Sequence, residues 1–252
     1  MKSIFILIIM GGIFTWPPAE KAQVYLEYRV ATNDQLTTAQ LFVRNQKSIY
    51  YKINPDTMAF ENHSKDTGNG VEHRVKMGSS ERTIGWVQTD LANQNMLSVQ
   101  KVFKAGQYTT YHVQENPGPI HWQFTNEQKQ IAGFSCRKAI TKLKGRAYEA
   151  WYTSKIPIGN GPWKLHGLPG AIIKAYSTDG FIHFDLIKVG GEKTFPQFLK
   201  IQDSQSISCE QYLKYVQEQG KEIAKKVQSK LPRGATFSVH KATVKTLETE
   251  CH

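Results

Sequence analysis

The residues of this chain best suited to bind a metal or to start nucleophilic chemistry are its eight histidines and three cysteines. None of the histidines makes the HxxxH or HExxH spacing that sets two ligands on one helix face. His63 and His73 flank a polar stretch, where only assembly in space would make them ligands. In "GSSER" (78–82), Arg82 stands where the G-x-S-x-G nucleophile elbow needs glycine. Asp56, Glu61 and Asp66 lie in a turn-rich segment, where solvation explains carboxylates without any acid–base role. No glycine-rich turn from strand to helix offers a cradle for phosphate. The pattern predicts no catalytic residue, no cofactor and no metal. The alternative is a metal-dependent hydrolase whose site gathers scattered His and Asp residues.

Cys136, Cys209 and Cys251 allow three single pairings. Cys209 and Cys251 share the C-terminal third, and a bridge there would contribute up to about 4 kcal/mol in the loop-entropy model. Cys136 lies in a strand-like run and reads as a small buried hydrophobe. Cys209 also stands at a helix N-terminus, where a thiol becomes more acidic, but no CxxC partner accompanies it.

The elements that must position these residues are mostly strands. "QVYLEYRV" (23–30), "TAQLFVR" (38–44) and "SIYYKI" (48–53) alternate in the manner of half-buried strands. Residues 54–70 read as a long loop, and further strands are expected at 83–89, 97–104, 107–114, 130–143 and 147–154. In "AIIKAYSTDGFIHFDLIKV" (171–189), Asp179-Gly180 suits a two-residue type I′ turn. Folding about it sets Ala175 opposite Phe184 on an apolar face, and Lys174 opposite Asp185 on the other. One helix is predicted at 209–230, with Tyr212, Val216, Ile223 and Val227 as its stripe, Ser208 as its cap and Pro232-Arg233-Gly234 as its stop. A final strand is expected at 236–247. The fold class is mainly β, formally α+β: a curved antiparallel sheet or half-barrel with one packed C-terminal helix. Residues 23–252 then form a single domain.

The stretch "GPWKLHGLPGAII" (161–173) concentrates turn chemistry. Gly161-Pro162 makes one rigid corner, and Leu168-Pro169-Gly170-Ala171 suits a type II turn with positive φ at Gly170. With Gly167 between them, these corners hold Trp163, Lys164, Leu165 and His166 as a short excursion. That excursion either seals the core or lines a pocket. In the second case Trp163, Leu165, His166 and Leu168 form the lip of a binding site.

The segment "AWYTSKIPIGNGPWKLHGLPGAIIKAY" resembles the signature of the GLPGLI family, with "GLPGAI" carrying Ala171 where the name motif has leucine. Upstream, "IAGFSCRKA" (131–139) is similar to that family's Gly-aromatic-x-Cys-x-Lys-Ala approach strand. The resemblance is specific from about 130 to 190. It implies an exported, β-rich envelope protein of Gram-negative bacteria with no assigned activity, and it supplies no catalytic residues.

The start of the chain agrees with export. Lys2 followed by the apolar run Ile4–Trp16 has the layout of a secretory signal, residues 1–22, with cleavage after Ala22 or alternatively after Ala19. No later run of eighteen apolar residues offers a transmembrane span. A formal net charge of +11 favours anionic partners. The cations are scattered, and with no reading helix or base-stacking signature nucleic-acid binding is excluded. The expectation is a non-enzymatic protein of the periplasm or outer membrane that binds a lipid-like ligand or an envelope protein. An accessory binding protein of an outer-membrane transporter is the other alternative.

Overall fold

The computed structural model describes residues 24–32, 35–53, 61–66, 71–76, 83–104, 107–191, 193, 194, 196, 206–228 and 247–251. The signal segment and residues 236–246 of the expected last strand lie outside them. The strands run in chain order as β1 (Val24–Thr32), β2 (Gln35–Arg44), β3 (Lys47–Ile53), β4 (Glu61–Asp66), β5 (Val71–Lys76), β6 (Thr83–Asp90), β7 (Asn95–Lys104) and β8 (Gln107–Glu115). They continue as β9 (Gln123–Ile131), β10 (Phe134–Leu143), β11 (Arg146–Thr153), β12 (Ala171–Ser177), β13 (Ile182–Gly190) and β14 (Ser206–Ile207), before helix α1 (Cys209–Gln228).

Twelve of these strands form one sheet in the order β14-β8-β7-β6-β3-β2-β1-β13-β12-β11-β10-β9, and β4–β5 pair apart as a small hairpin. Two antiparallel meanders therefore join along β1 and β13, and only the short β14 pairs in parallel. Alternation explains the inner face. Leu26, Tyr28 and Val30 of β1 and Ala39, Leu41 and Val43 of β2 all enter one buried cluster with Phe184 and Leu186 of β13. The sheet is strongly curved. Tyr50 of β3 lies three strands from β13, roughly 14 Å along a flat sheet, yet its ring centroid is 6.5 Å from that of Phe184. Tyr28 donates its buried hydroxyl to the Ile172 carbonyl at 2.8 Å, tying β1 to β12 across this core.

Helix α1 begins where Ser208 Oγ accepts the Gln211 amide at 3.2 Å, an N-cap bond. Its Tyr212 and Val216 pack with Val102 of β7 and Val113 of β8 in a second cluster. Ile223 and Val227, the rest of the expected stripe, have side chains outside the described set, as does Pro232-Arg233-Gly234. Cys209 and Cys251 form a disulfide with Cα atoms 5.7 Å apart, and Cys136 is free and buried. Such a bridge is the covalent chemistry of an extracytoplasmic, oxidising compartment. Among the described residues no helix is long and apolar enough to cross a membrane.

Several local expectations need correction. The run 130–143 is not one strand: Ala132 (φ 49°) and Gly133 (φ 80°) turn it, and β9 precedes β10. Strand β9 is exposed over most of its length, so no apolar alternation marks it. The loop expected at 54–70 contains β4 and continues into β5. In the 171–189 hairpin the register is as expected, with Lys174 opposite Asp185, Ala175 opposite Phe184 and Tyr176 opposite His183. Its turn is not type I′, because only Gly180 (φ 70°) is left-handed and Asp179 is not. The Gly180 amide donates to the Ser177 carbonyl at 2.9 Å, and side chains add to that bond: Asp179 Oδ1 accepts the Phe181 amide at 3.1 Å, and Ser177 Oγ accepts the Ile182 amide at 3.1 Å. Both central residues are left-handed instead in the β10–β11 turn, at Lys144 (φ 52°) and Gly145 (φ 81°).

Candidate functional site

The Gly/Pro stretch folds as a miniature hairpin between β11 and β12. Asn160 bridges to His166, and the amide of Gly161 donates to the Leu165 carbonyl at 2.9 Å. The Leu165 amide donates to the Pro162 carbonyl at 3.1 Å, closing a tight turn through Trp163 and Lys164. Trp163 is left-handed here (φ 56°), an unfavourable state for a bulky residue that the surrounding bonds must hold. Gly170 is not left-handed, so the expected type II turn is absent. Its glycine is required by space, since a Cβ there would meet the Thr153 carbonyl oxygen at 2.1 Å.

The side chains expected at a lip point inward. Trp163, Leu165, His166 and Leu168 are exposed by only 4%, 1%, 8% and 3%. Trp163, Leu165 and Leu168 join the main core. The ring nitrogens of His166 lie 2.9 Å from the Lys164 carbonyl and 3.1 Å from the Gly118 carbonyl. Trp122 Nε1 donates to the His166 carbonyl at 2.8 Å. This corner thus anchors residues 116–122, the crossing that links the two meanders.

The chemistry collects one residue away. Lys164, at the tip of the miniature hairpin, is 1% exposed and pairs with both Glu115 and Glu248. Its Nζ is 2.6 Å from Glu248 Oε1. Glu115, the last residue of β8, also pairs with Lys144 of the β10–β11 turn. Lys144 Nζ in turn donates to the Cys251 carbonyl at 2.6 Å. Two ammonium groups therefore face two carboxylates, and the cluster is neutral as a whole. Burial pushes against the charge of Glu115, but Lys164 and Lys144 outweigh it and hold its carboxyl below the usual range. At Glu248 burial wins, and with the nearby Glu115 charge it raises that carboxyl despite Lys164.

Glu248 lies in the described segment 247–251, a strap held from several sides. The Thr249 amide donates to the Lys144 carbonyl at 3.0 Å, and Arg146 Nε donates to the Leu247 carbonyl at 3.3 Å. The strap passes so close to Gly145 that a Cβ there would meet Thr249 Oγ1 at 2.1 Å. The disulfide fixes its end to the start of α1.

Could this cluster hold a metal? Glu115, Cys209 and Glu248 bring one ligand atom each within 4.8 Å of one another. The donor set does not suit one, because Cys209 is spent in the disulfide and Lys164 already supplies the cation to both carboxylates. One further amine, Lys52 of β3, is pushed down to about 8 by burial. Its ladder neighbours are Ala39 and Ile84, neither of which handles protons. A polar cleft of about 450 Å³ opens beside the cluster, lined by Asn93, Gln94, Asn95, Gln114, Glu115 and Asn116. Sequence reasoning missed Glu115 and Glu248, which share no motif with Lys164. The one available signal was a lysine set among apolar residues between two rigid corners.

Residues 118–217 match the family described as "N-glycanase peptide, N-terminal domain". A solved structure of PNGF-II in space group P21 superposes with a TM-score of 0.53 at 13% identity, over 79% of this chain and 34% of that one. A second structure of PNGF-II, in space group C2, gives a TM-score of 0.49 at 14% identity, over 77% of this chain and 32% of that one. The chain spans about a third of the length of these structures, and the first likeness is one of fold. No curated protein sequence matches the chain.

Proposed function

We propose that this chain is an exported, non-enzymatic binding or scaffolding module of the bacterial envelope, working in the periplasm or at the outer membrane. The observation that carries this reading is the self-neutralised state of its acid–base cluster. Lys164, Glu115, Glu248 and Lys144 satisfy one another in a nearly dry interior, and Lys164 bridges the two carboxylates. A general base must reach a substrate proton within hydrogen-bond distance, and here both oxygens of Glu115 and Oε1 of Glu248 are engaged by lysines. The match to a stretch described as the N-terminal domain of an N-glycanase supports a role connected with glycans. The resemblance to the GLPGLI signature supports export and an envelope setting.

The open carboxamide cleft beside Glu115 is the surface offered to a partner. Carboxamides present a donor and an acceptor together, which suits hydroxyl- and amide-bearing ligands. The test uses purified full-length protein, an N-glycosylated protein and envelope polysaccharide immobilised on a sensor surface. Saturable binding that weakens on replacing Asn93 and Asn95 with alanine, with no glycan released, is the expected result. Release of glycan by the wild-type chain, abolished by E115Q, would overturn the non-enzymatic reading.

A further inference from the structure

One member of the ionic cluster, Glu248, is tied down in part through a bond that can be reduced. Glu115, Lys144 and Lys164 stand on a strand end and two tight turns, whereas Glu248 rides on a strap that the Cys209–Cys251 disulfide closes. Without Glu248 the remaining trio carries one net positive charge. A buried ammonium without its carboxylate is costly, so that space demands an anion. The hydroxyl of Tyr148 is buried without a hydrogen-bond partner, and its ring lies 6.1 Å from that of Trp163, next to Lys164. On the other side Glu115 borders the carboxamide cleft, which supplies a path from solvent.

We propose that Lys164, with Lys144 adding positive charge from behind Glu115, forms a carboxylate-binding site that Glu248 fills in cis, and that the disulfide keeps closed. The proposal rests on the binding reading above and names the ligand class of that module. An external dithiol opens the site. Its thiolate attacks one sulfur of the Cys209–Cys251 bond to give a mixed disulfide, and its second thiol displaces the protein sulfur. Two protein thiols and one oxidised dithiol result. The strap then exchanges with an external carboxylate, from either a small acid or an acidic peptide.

The test uses the full-length E248Q chain, oxidised and after treatment with dithiothreitol. The probe is a fluorescent, C-terminally amidated peptide copying residues 247–250, LETE, compared with LQTE. Expected is binding of LETE about tenfold tighter to the reduced than to the oxidised chain, and about tenfold tighter than LQTE, roughly 1.4 kcal/mol in each case. Displacement by millimolar acetate assigns the site to carboxylates in general, and resistance to acetate assigns it to acidic peptides. Equal binding of LETE and LQTE, or no dependence on reduction, overturns the proposal. Hydrogen exchange in β1, β12 and β13 is followed in parallel. Loss of protection there on reduction would make the disulfide a staple of the whole fold, and the switch would also fall. Failure of this probe alongside intact glycan or envelope binding would leave the broader reading standing and refute only the carboxylate site.

Discussion

Replacing Lys164 with methionine probes the cluster most directly. The side chain is of similar length, and the site is 1% exposed, so the loss is one of charge rather than of volume. Glu115 keeps Lys144, but Glu248, 2% exposed, loses the ammonium 2.6 Å away. Breaking a buried pair by removing one partner costs about 3–5 kcal/mol. For a domain of this size each kcal/mol lowers Tm by roughly 2–4 °C, so a fall of about 6–20 °C is expected near pH 8. The loss shrinks on acidification. Burial already raises Glu248 in the native state, so the folded form holds its proton more tightly than the unfolded one. Stability from that group is then full below the unfolded value and fades as pH rises through the folded one. Methionine at 164 lifts Glu248 further and widens this window. Adding E248Q removes the orphaned charge and restores all but about 1–2 kcal/mol. Calorimetric scans from pH 5 to 8 on the single and double variants decide it. A K164M chain within about 1 kcal/mol of wild type at every pH, or a double variant no better than the single, would show that the cluster is solvated and the reasoning wrong.

Four other outcomes are expected. Replacing both Cys209 and Cys251 with alanine opens a loop whose ends are 42 residues apart, which the chain-entropy model puts at about 4 kcal/mol, measurable as a lower urea midpoint. G170A drives a Cβ against the Thr153 carbonyl and costs more than about 2 kcal/mol. G118A, with nothing within 4 Å, leaves the same urea midpoint within about 0.5 kcal/mol. E115Q removes a carboxylate held low in the native state. Its stabilising effect is present above the unfolded value and lost as pH falls through the folded one, so the variant's stability, lower at neutral pH, flattens between about pH 5 and 3 in acid-denaturation curves.

Much of the sheet was legible because one face of its central strands is buried along most of their length. Leu26, Tyr28 and Val30 announce β1 by alternation alone, and the pairing of Lys174 with Asp185 follows from keeping apolar residues together. Strand β9 was illegible for the opposite reason: at the sheet's edge nearly every side chain meets water, and no period survives. The turn at Asp179-Gly180 was misread because Ser177 and Asp179 cap the backbone with their own oxygens. Composition signals a turn there without choosing among its geometries. At 161–173 the residues mark a corner, but which way its side chains face depends on β8 and the strap. Glu115, Lys164 and Glu248 are far apart in sequence, and only the curl of the sheet gathers them.

The seam between β1 and β13 sets the order in which this protein can become folded. The first strand of the sheet to be made is followed at once in the chain by its partner β2. Its other partner is almost the last strand to emerge, and until then the apolar side of β1 has no second neighbour. Pairings of such long sequence separation slow folding, because the loop must close before the contact rewards it. The sheet is therefore expected to close only once β13 has been made, so folding completes late, with nearly the whole chain available.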